Sequence, residues 1–267
     1  MKYQTGAGSN FLNSETLTSV DWQAEQLRCT SFLSPLFEVS AESAFRTFTG
    51  GEPANVSENR QRSIQEASGT FKSFKVTVVK TPGRIDMVLS SNEEPAPSAI
   101  SILGPWAEMM TLFEEGGKRW IESQPKLQRL ALGVVVLNEA KDGHAAGYKI
   151  LNALLPKVDI DIEHSSDFFY QINRPRLVTF DEKLSLKINR LSKWSVMALF
   201  SQSLRLSPTG LAQKLSSADA SLRFYLRTEL DLSTDSEVLE LPPAHLNAIW
   251  KQLVDLANEL LLKGDIP

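Results

Sequence analysis

Leu222-Arg223-Phe224-Tyr225-Leu226-Arg227-Thr228-Glu229-Leu230-Asp231-Leu232 alternates without a break. In an extended chain Leu222, Phe224, Leu226, Thr228, Leu230 and Leu232 fall on one side, and Arg223, Tyr225, Arg227, Glu229 and Asp231 on the other. Strand side chains point to opposite faces with a period of two, so one face of this strand is buried and the other stays wet. Such a pattern belongs to an antiparallel sheet covered on one side. The cover lies just downstream. Pro242-Pro243 opens a helix in which Leu246, Ile249, Trp250, Leu253, Ala257, Leu260 and Leu261 recur at helical spacing, and Gly264 ends it.

Upstream, Arg129-Leu130-Ala131-Leu132-Gly133-Val134-Val135-Val136-Leu137 is apolar on both faces and reads as a central strand. Residues 26–33 read as a strand, Ala41 to Phe48 as a short helix ending at Gly50-Gly51, and 52–69 as a polar loop. Residues 74–79 and 84–89 form a hairpin about Thr81-Pro82-Gly83, where Pro presets φ and Gly supplies the positive φ of a tight turn. Ser91 to Ser98 reads as a linker. Pro105 opens a helix with Trp106, Met109, Met110, Phe113, Gly117, Trp120 and Ile121 on one face. Its Gly116-Gly117 pair predicts a kink or a close packing contact.

A Gly-rich connection from Asp142 to Gly147 leads to a short helix, Lys149 to Leu155. Strands follow over residues 166–174 and 183–200, then an irregular or helical stretch over 206–217. In order, the elements run β-α-β-β-α over residues 1–125 and β-α-β-β-β-α over residues 126–267. The expectation is an α+β protein of two related antiparallel-sheet modules, each with its closing helix packed on one sheet face.

The composition narrows the function classes. With 28 Lys+Arg against 32 Asp+Glu in 267 residues, the formal net charge of −4 excludes a generally basic nucleic-acid coat. A single cysteine excludes an intramolecular disulfide, and Cys29, within the alternating segment Leu27 to Phe32, reads as a buried structural thiol. Met1 to Asn13 lacks the features of a signal peptide. The longest apolar run, Val134 to Leu137, is far short of the roughly 20 residues a membrane helix needs. A cytoplasmic location without a membrane partner is expected.

The helix with Trp106, the segment Arg129 to Gly133, and the late strand Leu226 to Asp231 with its closing helix resemble the landmarks of a known family. It is a sporadically distributed, uncharacterised bacterial family of two-half α+β proteins of about this length. The resemblance spans most of the chain but rests on diffuse motifs. It implies the fold and a bacterial or phage origin, and it brings no catalytic residues.

Two constellations bear on chemistry. In Val158-Asp159-Ile160-Asp161-Ile162-Glu163-His164-Ser165-Ser166-Asp167, an extended chain would align Asp159, Asp161 and Glu163 on one face. Three carboxylates so placed, with His164 or Asp167, suit Mg²⁺ or Mn²⁺ and water activation for phosphodiester cleavage. The simpler reading is an edge strand whose acids are solvated. The second constellation is basic, running from Arg174 to Trp194. Arg174, Arg176, Lys187, Arg190 and Lys193, with Gln171, Asn173 and Asn189, form a candidate binding surface. Amides and cations on an open sheet face suit a phosphate backbone or an acidic protein.

The histidines, His144, His164 and His245, are scattered, and no nucleophile motif accompanies His144. Gly6-Ala7-Gly8 does not follow a strand and makes no dinucleotide fingerprint. The leading expectation is therefore a non-enzymatic, macromolecule-binding subunit of a bacterial multiprotein complex, in phage defence or a related conflict system. Its partner would be another protein or a second copy, with Trp106, Trp120 and Trp250 carrying the core into an interface. The alternatives are a metal-dependent nuclease and a non-catalytic, sheet-surface nucleic-acid binder.

Overall fold

The first described strand, β1 (Gln23–Leu33), lies at the centre of the sheet and not at its edge. A computed structural model describes residues 20–34, 38–92, 100–124, 126–202, 204–206, 212–214, 220–237 and 240–267. After β1 come α1 (Ala41–Thr49), β2 (Asn55–Asn59), β3 (Ile64–Phe71), β4 (Phe74–Thr81) and β5 (Arg84–Ser90). The two-residue β6 (Gly104–Pro105), α2 (Trp106–Glu122), β7 (Leu127–Glu139) and α3 (His144–Leu154) follow. Then come β8 (Phe169–Asn173), β9 (Arg176–Thr179), β10 (Ser185–Gln202), β11 (Leu204–Leu206), β12 (Ala212–Lys214) and β13 (Ala220–Thr234). A 3-10 turn at Pro243–His245 introduces α4 (Leu246–Lys263).

The fold is α+β, built on an antiparallel sheet of 11 strands in the order β2-β3-β4-β5-β1-β7-β13-β10-β8, with β6 added to β1 and β9 to β10. The sheet runs unbroken through both halves of the chain, because β1 pairs with β7. Each half places its first strand at the centre, its last strand beside it, and its earlier strands outward. That gives β1 next to β5 and β7 next to β13. β11 and β12 form a separate two-stranded hairpin.

Register separates the two faces. The row Gly69–Val76–Leu89–Leu27–Val134–Leu230–Ser192–Ile172 crosses eight strands on one face. The adjacent row, Ser68–Thr77–Val88–Arg28–Gly133–Asp231–Leu191–Asn173, lies on the other. The four helices among the described residues all pack on the first face. A Cβ on Gly69 would meet Phe45 of α1 at 2.9 Å, and one on Gly147 of α3 would meet Val196 at 2.8 Å. Trp120 of α2 donates its indole N–H to Ser31 Oγ (2.9 Å), while α4 lies along β7 and β13. Among the described residues no helix packs on the second face.

The Gly116-Gly117 pair resolves as close packing. A Cβ on Gly116 would lie 2.7 Å from Phe48 of α1, and one on Gly117 would lie 2.6 Å from Trp250 of α4. Absence of both side chains lets α2 sit between its neighbours, with Phe113 in ring contact with Phe48 at 5.3 Å and Trp250 at 6.2 Å. Trp106, Trp120 and Trp250 are buried, so they fill the core and do not extend it outward. Cys29 is fully buried, and burial pushes its thiol up to about 12.

Other departures from the sequence reading are local. The segment 52–69 holds β2 and most of β3. Its polarity arises because β2 is an edge strand with all five residues exposed, so burial never shaped its sequence. α3 begins at His144, earlier than expected, because Ala145, Ala146 and Gly147 are small enough for the helix to approach β10. The stretch 206–217 contributes β12 and the end of β11. The remaining residues there, most of the linker over 91–98, and Met1 to Asn13 with Gly6-Ala7-Gly8 lie outside the described residues. Among the described residues no helix is long and apolar enough to cross a membrane.

Candidate functional site on the uncovered sheet face

Across the uncovered face runs a ladder of ion pairs that joins the two halves. Arg28 of β1 reaches over Gly133 of β7 and donates to Asp231 of β13 at 3.1 Å. Arg227 is bound to Glu25 at 3.1 Å and to Glu229, which also accepts from Lys193 of β10 at 3.3 Å. Burial alone would lower Arg227, but Glu25 and Glu229 more than offset it and hold it above its ordinary value. Burial likewise pushes Glu229 up, and Arg227 and Lys193 reverse that to a net lowering. Arg28, Lys193, Arg227, Glu229 and Asp231, with Gln26, Val135 and Leu191, line a depression of about 390 Å³. Arg129 and Arg84 flank the Phe32 ring at 5.2 and 5.6 Å, and Asp86 accepts from Thr30 at 2.5 Å.

The predicted basic surface divides between the faces. Gln171, Asn173, Lys187, Asn189 and Lys193 lie on the uncovered face by register. Of these, Lys187 is held by Asp235 at 2.6 Å, Lys193 by Glu229, and Asn173 donates to Asn189 at 3.2 Å. Phe169 and Leu177 share the face and are 61% and 70% exposed.

Arg174, Arg176 and Arg190 do not belong to that surface. They turn to the helix side and clamp the chain after α4. Arg174 makes two hydrogen bonds to Asp265 (2.6 and 2.9 Å), which also accepts from Tyr170 at 2.8 Å. Arg176 donates to Glu259 at 2.5 Å and to Pro267 O at 2.8 Å, and buried Arg190 donates to Ile266 O at 3.1 Å. Period two puts Arg190 beside Ile188 on the apolar face, so its position was readable. Period two also puts Arg174 and Arg176 on the Ile172 face, because β8 and β9 pair β10 in one unshifted antiparallel register across Pro175, so their side was readable too.

The acidic stretch is not a strand. Between α3 and β8 it forms a turn-rich loop in which Asp159, Asp161, Glu163, His164 and Asp167 are exposed and Ile160 is buried. One oxygen of Asp161 accepts from the backbone N–H groups of Glu163 and His164 (both 3.1 Å), and its carboxylate meets His164 Nδ1 at 3.1 Å. That carboxylate closes a turn. Among the described residues no group of three or more His, Cys, Asp or Glu side chains is placed to hold a metal ion. His245 sits 2.7 Å from Asp181 and staples the turn before α4 to the loop between β9 and β10.

Residues that the sequence reading missed, namely Glu25, Arg28, Gly133, Arg227 and Asp231, come from three strands. For Arg28, Arg227 and Asp231 the signal is charge of opposite sign at outward parity, meaningful only once the strand order is known, whereas Glu25 sits at a bulge in β1 and Gly133 carries no charge. Comparison with protein-family models and with curated proteins finds no match.

Proposed function

We propose that this protein is a non-catalytic subunit that docks another protein on the uncovered face of its sheet. One observation carries the reading. All four described helices cover a single face, and among the described residues no helix covers the opposite face of the same sheet in either half. An open face with exposed apolar side chains such as Phe169 and Leu177, rimmed by polar groups, has the make-up of an interface. The common order of elements supports reading the chain as two related units that present this face jointly.

Charge favours a protein over a nucleic acid. Phosphate binding requires cations free to replace counterions. Here Arg28, Lys187, Lys193 and Arg227 each have a carboxylate partner, and three arginines of the basic stretch serve the opposite face. A bacterial defence complex rests on the family resemblance, and a phosphodiesterase draws no support from the loop placement of Asp159, Asp161 and Glu163.

The test is size-exclusion chromatography with light scattering, on purified protein and on native extract, for wild type and a Phe169→Lys, Leu177→Lys variant. The expected result is a complex in extract that the double variant loses while keeping its circular dichroism. A strict monomer in both preparations overturns the reading, as does steeply salt-dependent oligonucleotide binding lost in Lys187→Ala, Lys193→Ala.

A further inference from the structure

On the helix side, β10 and β13 run on beyond their neighbours. β8 stops pairing at Ser195 and β7 at Tyr225, while β10 and β13 continue to Gln202 and Ala220. The N-terminal end of α3 lies over the start of this ribbon. There the His144 ring stands 5.8 Å from Phe224 at 53° and 5.6 Å from Tyr148 at 80°, and Tyr148 stands 6.2 Å from Phe168 at 68°. His144, Tyr148 and Phe224 line a pocket of about 240 Å³ with Val196 and Ala198, and Ser165, Ser166 and Asp167 complete it.

Several features of this pocket point the same way. The His144 and Phe224 rings, 5.8 Å apart at 53°, form adjacent walls, and the buried Tyr148 ring backs them. A cation in the corner between them lies within the roughly 6 Å over which a ring face attracts it. Asp167 brings a carboxylate to the lining, and no Lys or Arg among the described residues lines it. Asp167 also adopts a left-handed φ of 54°, a conformation found disproportionately at functional sites. The exposed His144 ring forms no hydrogen bond with other described residues. A carboxylate at this position repels phosphate, and the volume suits a small head group better than a nucleotide.

We propose that the pocket binds the head group of an organic cation, a quaternary or alkyl ammonium. The carbon chain of the ligand leaves along Phe200 and Leu222. These residues pair across the ribbon next to Ala198 and Phe224, share their face, and are 61% and 55% exposed. The ring faces attract the charge, Asp167 neutralises it, and the apolar pair covers the chain. This site is on the opposite side of the sheet from the proposed docking face, and the two readings stand or fall separately.

The experiment is an NMR titration of the full chain with choline chloride and with 3,3-dimethylbutan-1-ol, the neutral isostere in which carbon replaces nitrogen. Wild type is expected to bind choline saturably and about tenfold more tightly than the alcohol. Phe224→Leu, which keeps the apolar bulk and removes the ring, is expected to weaken choline about tenfold and leave the alcohol unchanged. Asp167→Asn is expected to weaken choline several-fold, and because Asp167 is exposed that variant keeps its fold. Equal affinity for the two probes, no saturable choline binding, or wild-type affinity in both variants overturns the proposal.

Discussion

Arg28 and Asp231 meet at 3.1 Å above Gly133, although 203 positions separate them in the chain. The contact spans three adjacent strands, and a Cβ on Gly133 would come within 3.1 Å of the Arg28 guanidinium. Both partners are more than a third exposed, so the pair itself contributes at most about 1 kcal/mol. The Arg28 guanidinium ends a flexible side chain and can give way, so Gly133→Val is expected to push it off Asp231 and change stability by no more than about 1 kcal/mol. Denaturant unfolding checks it, and in an Arg28→Ala background the cost falls well below the sum of the single changes.

Gly117→Ala is expected to destabilise, against the grain of helix propensity. Alanine gains about 1 kcal/mol over glycine in a helix interior. The new methyl would sit 2.6 Å from the buried Trp250 ring, and overpacking of that kind costs about 1–3 kcal/mol. A fall in Tm is the predicted readout; a rise would show that α2 and α4 separate at little cost.

Acid sensitivity should trace in part to Asp265. Burial pushes its carboxyl up, but hydrogen bonds from Arg174 and Tyr170 more than reverse this and hold it below its ordinary value. A carboxyl depressed in the folded state lends stability that is fully present above its unfolded value near 4 and is lost as pH falls through the folded value. Tm measured from pH 7 downward should therefore drop below about pH 4. Asp265→Asn should flatten that drop and cost about 3 kcal/mol at neutral pH, because it leaves Arg174 without its counter-charge.

Asp161→Ala is expected to act on the loop and not on a metal. Its carboxylate already accepts two backbone N–H groups, so its loss costs about 0.5–1.5 kcal/mol of stability. Calorimetric titration of wild type with Mn²⁺ should show no saturable binding dependent on Asp161. Saturable binding that the variant abolishes would restore the carboxylates as ligands.

The class of fold was legible because period two in 222–232 and helical spacing in 246–261 are burial patterns, and burial is what the core selects. Strand β2 was not legible, since an edge strand exposed on both faces carries no burial pattern. The uncovered face was half legible. Outward parity placed Gln171, Asn173, Lys187, Asn189 and Lys193 correctly, yet parity cannot tell which carboxylate on a distant strand neutralises each cation. The ladder through Arg28, Gly133 and Asp231 depends on β1, β7 and β13 being neighbours, a long-range fact absent from any local window.

The junction of β1 with β7 also carries a kinetic burden. Ribosomes extend a chain at about 5–20 residues per second, so β1 waits about 5–20 s between its own synthesis and that of its partner at Leu127–Glu139. During that interval its inner edge, which includes Leu27 and Cys29, is an open template for another nascent chain. One rim of the sheet is guarded permanently by the polar β2, whereas the seam at its middle is guarded only by the arrival of the second half. A ribosome-bound fragment ending before Leu127 is thus the form of this chain most prone to mispairing, and the one with the greatest need of a chaperone.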